Sequence, residues 1–402
     1  MLRLPVLLLA VLPLPASAQL SGGTWRTDLT KHSVPWTELV SAGPKKDAIP
    51  SIDHARFVPP RDAAAWLSEN EPIIAVELNG EARAYPLQIL IWHLLIDDRI
   101  GETPILISYS VLCNSAIVFD RRVAGATYEF GFSGMVRNSN VVMFDRQTES
   151  LWQQLTGEAI GGSLTGAKLT RLNSQVVPFH VFRQAHPDGK VLSRETGSKR
   201  AYGTDPYAKY MSPGRLLFPV SLPGPLPIPS TETLVIVQAG GAARAYATPL
   251  LRERRVLESR IGGQPFVIFS TRAMLDALDA PVIADSRNTV AAAVFSPAVD
   301  GKSLSFYKRH GVFFDKQTRS AWDLLGVSTA GPMAGKRLTP LPYTVSFAFA
   351  WLAFYPETPV VLAPGPAMPE VGEYLWPMSE MDAPVQRHTS LPASSNPATP
   401  PR

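Results

Sequence analysis

One long segment of this chain occurs twice. The sequence EARAY at Glu81–Tyr85 returns as AARAY at Ala242–Tyr246, 161 residues later. The sequence FDRQTESLW at Phe144–Trp152 returns as FDKQTRSAW at Phe314–Trp322, 170 residues later. Other matched blocks follow in the same order with small changes of separation. Because this period is far longer than that of solenoid repeats, the pattern predicts duplicated domains of one fold.

The duplication makes each copy a control for the other. We call residues 71–192 the first copy and residues 232–361 the second copy. Residues shared by both copies are expected to be scaffold, and chemistry found in one copy alone marks a candidate site. In the shared motif FDxQTxSxW, Asp145 is predicted to cap the next turn and Trp152 to anchor it in the core. Residues 149–155 are predicted to form a short helix.

The N-terminus has the three parts of a secretory signal. These are Arg3, the apolar run Leu4–Leu14, and the small residues Ala16-Ser17-Ala18. The run is too short for a membrane-spanning helix. We therefore expect a signal peptide at 1–18, cleaved near Ala18, and a mature protein that is periplasmic or secreted, with no membrane span.

The charge of the mature chain argues against one class of partner. Once Arg3 is removed from the 38 basic residues, 37 basic side chains accompany 34 acidic ones. This balance is too even for a nucleic-acid-binding protein, and we find no dense basic run. The expected partner is an unknown small molecule or an envelope protein.

Turn and linker signals divide the rest of the chain. Short strands mixed with a few short helices favour an α+β fold. We expect two tandem homologous β-rich domains with short helices, related by a pseudo-twofold axis. The predicted segments are an N-terminal segment at 19–42, a first repeat at 43–212 that carries the candidate site, a proline-rich linker at 213–229, a second, degenerate repeat at 230–365, and a partly disordered Pro/Ser-rich tail at 366–402.

The helix predicted after Pro86 differs between the copies. Its residues Ile91–Leu94 align with Arg252–Arg255 of the second copy. We expect Ile91, Trp92 and Leu94 to be buried, and the aligned charged residues to face water. The cover over the apolar face could be the other repeat, the N-terminal segment or a pocket wall.

Several motifs of the first repeat occur together in one order: Ile49–Asp53 (IPSID), Trp92-His93, Tyr109–Asp120 (YSVLCNSAIVFD), Ser133–Ile160 and Tyr202–Tyr207 (YGTDPY). This set resembles the bacterial and archaeal domain-of-unknown-function family numbered 3179. The resemblance covers about residues 43–210, and the second copy resembles the family weakly. It implies no activity, because the family has none established.

Two positions depart from the pattern of that family. Members commonly have a second cysteine where this chain has Ser110, and a glutamate where it has Leu94 after His93. The family pattern implies a metal site or a redox couple made by two cysteines beside a His-Glu pair. Half of that set is missing here, and the sequence leaves open whether the loss abolishes activity.

Cys113 is the only cysteine of the chain, and it lies in the first copy alone. With His93 as base, its thiolate would be a nucleophile for a hydrolase or transferase. Cysteine is also among the most buried residue types, so a plain core position is the competing interpretation. The candidate ligand-binding residues are Ser110, Asn114, Arg137, Asn138 and Ser133.

Three function hypotheses follow from these features. The leading one is an exported soluble protein with a polar-lined pocket in the first repeat and a ligand-binding or accessory role. The second is an enzyme that uses Cys113 as nucleophile with His93 as base, and the third is a structural envelope protein with no site. The seven histidines show no HxH or HExxH spacing, so no metal site is predicted and the cofactor stays unassigned.

Overall fold

The computed structural model describes Leu20, residues 25–208 and residues 216–362. The predicted signal peptide (1–18) and tail (366–402) lie outside the described residues, as do parts of the N-terminal segment and the linker. Within the described ranges the chain is β-rich with a few short helices, which confirms the α+β class. No helix in these ranges has the length and apolar character needed to cross a membrane.

The strands up to the end of the first copy are β1 (Val40–Ser41), β2 (Phe57–Val58), β3 (Pro72–Leu78), β4 (Glu81–Pro86), β5 (Leu95–Ile100), β6 (Thr103–Ser110), β7 (Ser115–Asp120), β8 (Arg122–Val123), β9 (Ala126–Thr127), β10 (Phe130–Arg137), β11 (Asn140–Asp145), β12 (Leu151–Gln153), β13 (Ala159–Gly161), β14 (Thr170–Leu172), β15 (Gln175–Pro178) and β16 (Lys190–Leu192). The helices of this part are α1 (Pro60–Ala63), α2 (Leu87–His93) and α3 (Phe179–Ala185).

The strands of the second copy are β17 (Thr233–Ala239), β18 (Ala242–Ala247), β19 (Val256–Ile261), β20 (Gln264–Leu275), β21 (Asn288–Phe295), β22 (Ala298–Val299), β23 (Lys302–Ser303), β24 (Phe306–Arg309), β25 (Val312–Asp315), β26 (Ala321–Trp322), β27 (Ser328–Ala330), β28 (Tyr343–Phe347) and β29 (Val360–Val361). Its helices are α4 (Thr248–Arg254) and α5 (Ala348–Phe354).

Strand pairing recurs along with the sequence. The sheet β15-β3-β4-β16 of the first copy has the same order as β28-β17-β18-β29 of the second. The sheet β10-β11-β12-β13 likewise has the order of β24-β25-β26-β27. Even the register is kept, since Ala75 pairs with Ala84 and the aligned Ile236 pairs with Ala245. The matched sequence blocks therefore take up matched positions in the sheets.

The shared motif FDxQTxSxW forms the same hydrogen bonds in both copies. The indole of Trp152 donates to Asp145 Oδ2 at 2.9 Å, and that of Trp322 donates to Asp315 Oδ2 at 3.0 Å. Asp145 Oδ1 also accepts from the Thr148 amide at 2.6 Å, which confirms that Asp145 caps the turn. All four residues are buried, which confirms that Trp152 is anchored in the core. The helix predicted at 149–155 is wrong: this segment contains β12, because its backbone pairs with β11.

The central sheet of each copy is buried on both faces. In the first copy, Ile74 of β3 packs into a cluster with the β5–β7 sheet of its own copy. Its neighbour Ile73 points the other way and packs with Val267 and Phe269 of the second copy. Because successive residues of a strand face opposite sides, β3 contributes to a core on each side.

The second copy repeats this arrangement. Val235 of β17 packs within its own copy, whereas Leu234 and Ile236 join the core of the first copy. The contacts between the copies are also reciprocal: β15 of the first copy packs against β21 of the second, and their counterparts β28 and β7 pack against each other. The hydrophobic cores are therefore shared between the copies rather than one to each.

Helix α2 and its counterpart α4 differ in burial. The predicted burial or exposure is confirmed at four positions, and the side chains at the other two are half-buried. The buried residues are Ile91 and Leu94, the exposed ones Arg252 and Glu253, and the half-buried ones Trp92 and Arg255.

Two segments preceding and following the first copy cover α2. The indole of Trp92 donates to the carbonyl of Thr204 at 3.1 Å. His93 contacts the carbonyl of Pro50 at 2.8 Å and the hydroxyl of Tyr202 at 2.6 Å. The cover at these contacts comes from the IPSID and YGTDPY motifs, which explains why the two motifs accompany Trp-His in the sequence.

Candidate functional site

Cys113 ends a 3-10 turn, Val111–Cys113, between β6 and β7. Its side chain is fully buried, and Sγ donates to the carbonyl of Ser139 at 3.3 Å. Burial raises the pKa of the Cys113 thiol to about 12, although hydrogen bonds with Ser110 and Asn140 act in the opposite direction. A thiol with such a pKa is protonated at neutral pH, and the thiolate is the nucleophilic form.

His93 lies at the end of α2 with 1% of its surface exposed. Its two ring nitrogens contact Pro50 and Tyr202, and neither is hydrogen-bonded to the sulfur of Cys113. Burial lowers the pKa of His93, and the charge of Arg200 lowers it further. The ring therefore links α2 to the two segments that cover it.

The other predicted site residues are dispersed, and each has a structural partner. Ser110 accepts from the Val141 amide at 3.2 Å, and Asn114 accepts from the Tyr109 hydroxyl at 2.9 Å. Arg137 pairs with Glu38 at 2.6 Å. The remaining two are Asn138, which accepts from the Ser221 amide at 2.9 Å, and Ser133, which donates to the Val142 carbonyl at 2.5 Å.

The positions that depart from the family pattern are packed. Ser110 is fully buried and Leu94 is 3% exposed. Within the described residues, no group of three or more His, Cys, Asp or Glu side chains is arranged to hold a metal ion. Cys113 belongs to the hydrophobic core, and the polar side chains that interact with it, Ser110 and Asn140, are neutral.

These side chains form a buried network specific to the first copy. Gln154 is at its centre: Nε2 donates to Ser108 Oγ at 3.0 Å and to the Ser115 carbonyl at 3.1 Å. Its Oε1 accepts from Asn140 Nδ2 at 2.9 Å, and Asn140 accepts from Gln153 at 2.6 Å. All five side chains are fully buried. Gln153 Oε1 is the one atom of these side chains that is buried without a hydrogen-bond partner among the described residues. Losing any of the bonds that are formed is costly in a buried network.

The second copy has no equivalent network. The positions of Ser108, Ser115 and Gln154 are occupied there by Phe269, Ala291 and Leu324. Asn140 lies in the part of the β10–β11 hairpin that extends beyond its counterpart β24–β25. The network is therefore found in the first copy alone. Its hydrogen bonds join Gln154 to Ser108 and Ser115, which lie on either side of the Cys113 turn.

Cys113 is expected to label slowly in the native protein. Because the thiol is buried and protonated, iodoacetamide at neutral pH should modify it only after denaturant is added. Cys113→Ser should lower the free energy of unfolding by about 1–3 kcal/mol, because a hydroxyl replaces the thiol in a dry site. Mass spectrometry and urea denaturation measure the two effects. Rapid native labelling would contradict the buried assignment and favour a nucleophile.

An open polar cavity lies in the second copy, near a 15-residue insertion. The separation of matched residues rises from 161 to 176 between β6 and β7, so residues 276–290 have no counterpart in the first copy. The insertion contributes much of the wall of a cavity of about 390 Å³. This volume is within the range of small-molecule sites, roughly 300–1,000 Å³. The charged lining residues are Glu232, Asp276, Asp279, Arg252 and Arg287.

The charges of the cavity are partly paired. Arg287 Nε lies 3.2 Å from Asp279 Oδ1, and its Nη2 lies 4.0 Å from Asp276 Oδ2. The hydroxyl of Thr248 donates to Glu232. Arg252 forms no ion pair with the described residues. The cavity thus combines hydrogen-bond acceptors with one cation that has no carboxylate partner in the described part of the chain.

Asp205 lies at the junction of the YGTDPY motif and this insertion. Its amide donates to the carbonyl of Pro281 at 3.0 Å, and the Ile283 amide donates to Gly203 at 3.0 Å. Its side chain is buried; Oδ1 accepts from the Tyr207 amide at 2.7 Å, and Oδ2 has no hydrogen-bond partner among the described residues. An unpartnered buried carboxylate oxygen is costly and points to a site of interaction.

The pKa values of two carboxyl groups are raised at this junction. Burial raises the pKa of Asp205 to about 6, and the charge of Asp276 raises it further, against the Tyr207 hydrogen bond. Burial also raises the pKa of Asp276. Perturbed acids beside a cavity are typical of functional sites, although structural acids show such shifts too.

The wild type is expected to lose stability relative to the Asp205→Asn variant as the pH rises. The folded protein holds the Asp205 proton between about pH 4 and 6, where the unfolded chain has released it, so this contribution to stability is lost as the pH rises through that window. At pH 7 the variant should be more stable by about 1–3 kcal/mol. Urea denaturation at pH 4.5 and pH 7 measures the difference. A difference that does not change with pH would show that Asp205 is not protonated in the folded state.

Sequence reasoning missed the cavity, Asp205 and the network around Gln154. One signal was present: the change of separation from 161 to 176 marks the insertion that forms the cavity wall. YGTDPY was also visible as a motif of the first repeat, but its contact with the insertion depends on the fold.

Comparisons with known proteins give one family. A family model described as a protein of unknown function (DUF3179) matches residues 46–358. This range includes the first copy and all but the last three residues of the second, and it extends well beyond the residues 43–210 that carry the sequence resemblance. Neither the curated proteins nor the solved structures contain a match.

Proposed function

The chain belongs to the family of proteins of unknown function DUF3179, and we propose that it is an exported binding protein for a small polar molecule. The ligand occupies the cavity lined by the insertion 276–290. The observation that carries this proposal is the accumulation of acidic and threonine side chains around an open space of about 390 Å³. This location replaces the pocket expected around His93, Ser110 and Cys113.

The lining indicates the class of ligand. Glu232, Asp276 and Asp279 offer carboxylate oxygens, and Thr231, Thr233 and Thr289 line the same space. Carboxylates accept hydrogen bonds from hydroxyl and amino groups. The proposed ligand is therefore a small molecule rich in hydroxyl or amino groups.

The two copies are proposed to be homologous domains related by a pseudo-twofold axis. The reciprocal packing of β15 on β21 and of β28 on β7 supports this relation. The first repeat supplies the YGTDPY segment, and the second repeat supplies the cavity wall.

Export is proposed from the signal-like N-terminus. The mature protein should be periplasmic or secreted and should begin near Gln19. N-terminal sequencing of protein recovered from the periplasm or the medium tests this, and an uncleaved Met1 would contradict it.

Binding is tested on the full-length mature chain. Native mass spectrometry identifies a retained ligand, and a thermal-shift screen of sugars, polyols and amines identifies one that was lost. Glu232→Gln and Asp276→Asn should each weaken binding at least about tenfold, which corresponds to 1.4 kcal/mol. Asp285→Asn changes an exposed acid of the same insertion outside the cavity lining and should leave the affinity unchanged.

Two results would reject this function. One is the absence of both a retained ligand and any thermal shift in the screen. The other is binding that Glu232→Gln and Asp276→Asn leave intact while both variants fold normally by circular dichroism. Either result would favour the structural hypothesis.

A further inference from the structure

Four cations lie together in the second copy, at positions that are apolar in the first. We call them the cation cluster, and its members are Arg252, Arg255, Arg272 and Lys308. Their aligned residues in the first copy are Ile91, Leu94, Val111 and Phe132, all of which are buried.

Backbone carbonyls connect the members of the cluster. Arg272 donates from Nε and Nη2 to the carbonyl of Arg252 at 3.0 and 2.7 Å. Lys308 Nζ donates to the carbonyl of Ser270 at 2.9 Å. The hydroxyl of Ser270 lies 3.2 Å from the carbonyl of Arg255. Residues from α4, β20 and β24 thus converge on one small area.

The positive charge of the cluster is not balanced by the described residues. None of its four members forms an ion pair with a carboxylate in the described part of the chain. Glu253, the acid nearest in sequence, is exposed and pairs with none of them. Four like charges at short range repel one another.

Burial and the neighbouring positive charges act together on the pKa values of two members of the cluster. Burial lowers the pKa of Arg255, and the charges of Arg272 and Arg252 lower it further. Burial likewise lowers the pKa of Lys308 to about 8, and the charge of Arg255 adds to the effect. Lys308 is also held over the ring of Phe313, with Nζ 4.2 Å from its centre. An anion bound here would relieve the repulsion.

We propose that the cation cluster is a binding site for a phosphate group, either as free phosphate or on a lipid headgroup. The guanidinium groups of Arg252 and Arg255 suit the several oxygens of a phosphate, because each can donate two hydrogen bonds. The ammonium of Lys308 adds a compact positive charge at the half-buried side of the site. This site differs from the ligand cavity, which Arg252 borders but Arg255, Arg272 and Lys308 do not line.

Inorganic phosphate is the first probe. Calorimetry measures its binding, and the melting temperature in phosphate is compared with that in sodium chloride of equal ionic strength. The wild type should bind phosphate and melt at a higher temperature in it. Arg255→Gln and Lys308→Met should weaken binding at least tenfold. In phosphate-free buffer both variants should melt no lower than the wild type, because repulsion has been removed. Arg254→Gln, an exposed position on the same helix outside the cluster, should behave like the wild type.

Vesicles distinguish the two sources of phosphate. Flotation with phosphatidic acid in phosphatidylcholine, but not with phosphatidylcholine alone, would assign the site to a lipid headgroup. Binding of inorganic phosphate without flotation would assign it to free phosphate. The proposal is overturned if phosphate acts no differently from chloride and no vesicle binds, or if Arg255→Gln and Lys308→Met bind as well as the wild type. Glu232→Gln should leave phosphate binding intact, which separates this test from that of the cavity.

Discussion

A fragment of residues 19–229, which holds the whole first copy, is expected not to fold by itself. Without the second copy, Ile73, Phe179 and Phe182 would lose the core that they share with Val267 and Phe269. Burying each large apolar side chain contributes about 1.5–3 kcal/mol. A few such losses reach the whole stability of a typical domain, about 5–15 kcal/mol.

The fragment would also lose apolar contacts in the second shared core, which lies around the β5–β7 sheet. Phe349 and Trp351 of α5 are fully buried in the cluster that contains the β5–β7 sheet of the first copy. Their removal would leave an opening in that core. The fragment should therefore lack near-ultraviolet circular dichroism and bind the dye ANS.

The matched control is co-expression of the fragment with residues 230–402, which should restore a folded complex. The intact chain should unfold in one cooperative transition, because neither copy has a complete core of its own. A sharp, native-like transition of fragment 19–229 alone would show that the shared cores are dispensable.

Gln154→Leu is expected to lower the free energy of unfolding by about 2–4 kcal/mol, although leucine is the residue of the second copy at this position. The substitution removes the partners of Ser108, Ser115 and Asn140 inside a dry core. Each buried polar group left without a hydrogen bond costs about 1–3 kcal/mol, and some relaxation of Asn140 offsets part of the sum. Urea denaturation measures the change.

The control for this substitution is Gln264→Leu, the same exchange at an exposed strand position. It should change stability by no more than about 0.5 kcal/mol. Equal effects at Gln154 and Gln264 would show that the network does not stabilise the fold. A second comparison is Cys113→Ser combined with Gln154→Leu: because Cys113 lies beside the network, we expect the two effects to be non-additive.

A residue found in one copy only can have either a structural role or a role in binding a ligand. The Gln154 network and Cys113 differ from the second copy, yet their contacts are internal and stabilise the fold. The insertion and the cation cluster differ from the first copy; the insertion lines an open cavity, and the members of the cluster are exposed or half-buried. Difference between copies therefore locates candidate residues, and exposure decides which of them can meet a ligand.

The sequence alone determined the features that depend on local pattern. The duplication, the capping role of Asp145, the burial of Trp152 and the burial of Ile91 against the exposure of Arg252 follow from spacing and residue type. The strand at Ile73–Val76 also carries a signal, since a continuous apolar run is typical of a strand buried on both faces. The run does not identify which element covers each face.

Only the tertiary structure decided which distant segments meet. Asp205 meets the insertion because the two copies pack against each other. Lys308 meets the cluster at the end of α4 because β24 and α4 both pack against β19 within the second copy. No periodicity of the sequence encodes such contacts, since a buried face is equally apolar whichever partner covers it. For the same reason Cys113 and His93, which the sequence predicted to act together in one site, have different hydrogen-bond partners. Cys113 donates to the Ser139 carbonyl, and His93 is hydrogen-bonded to Tyr202.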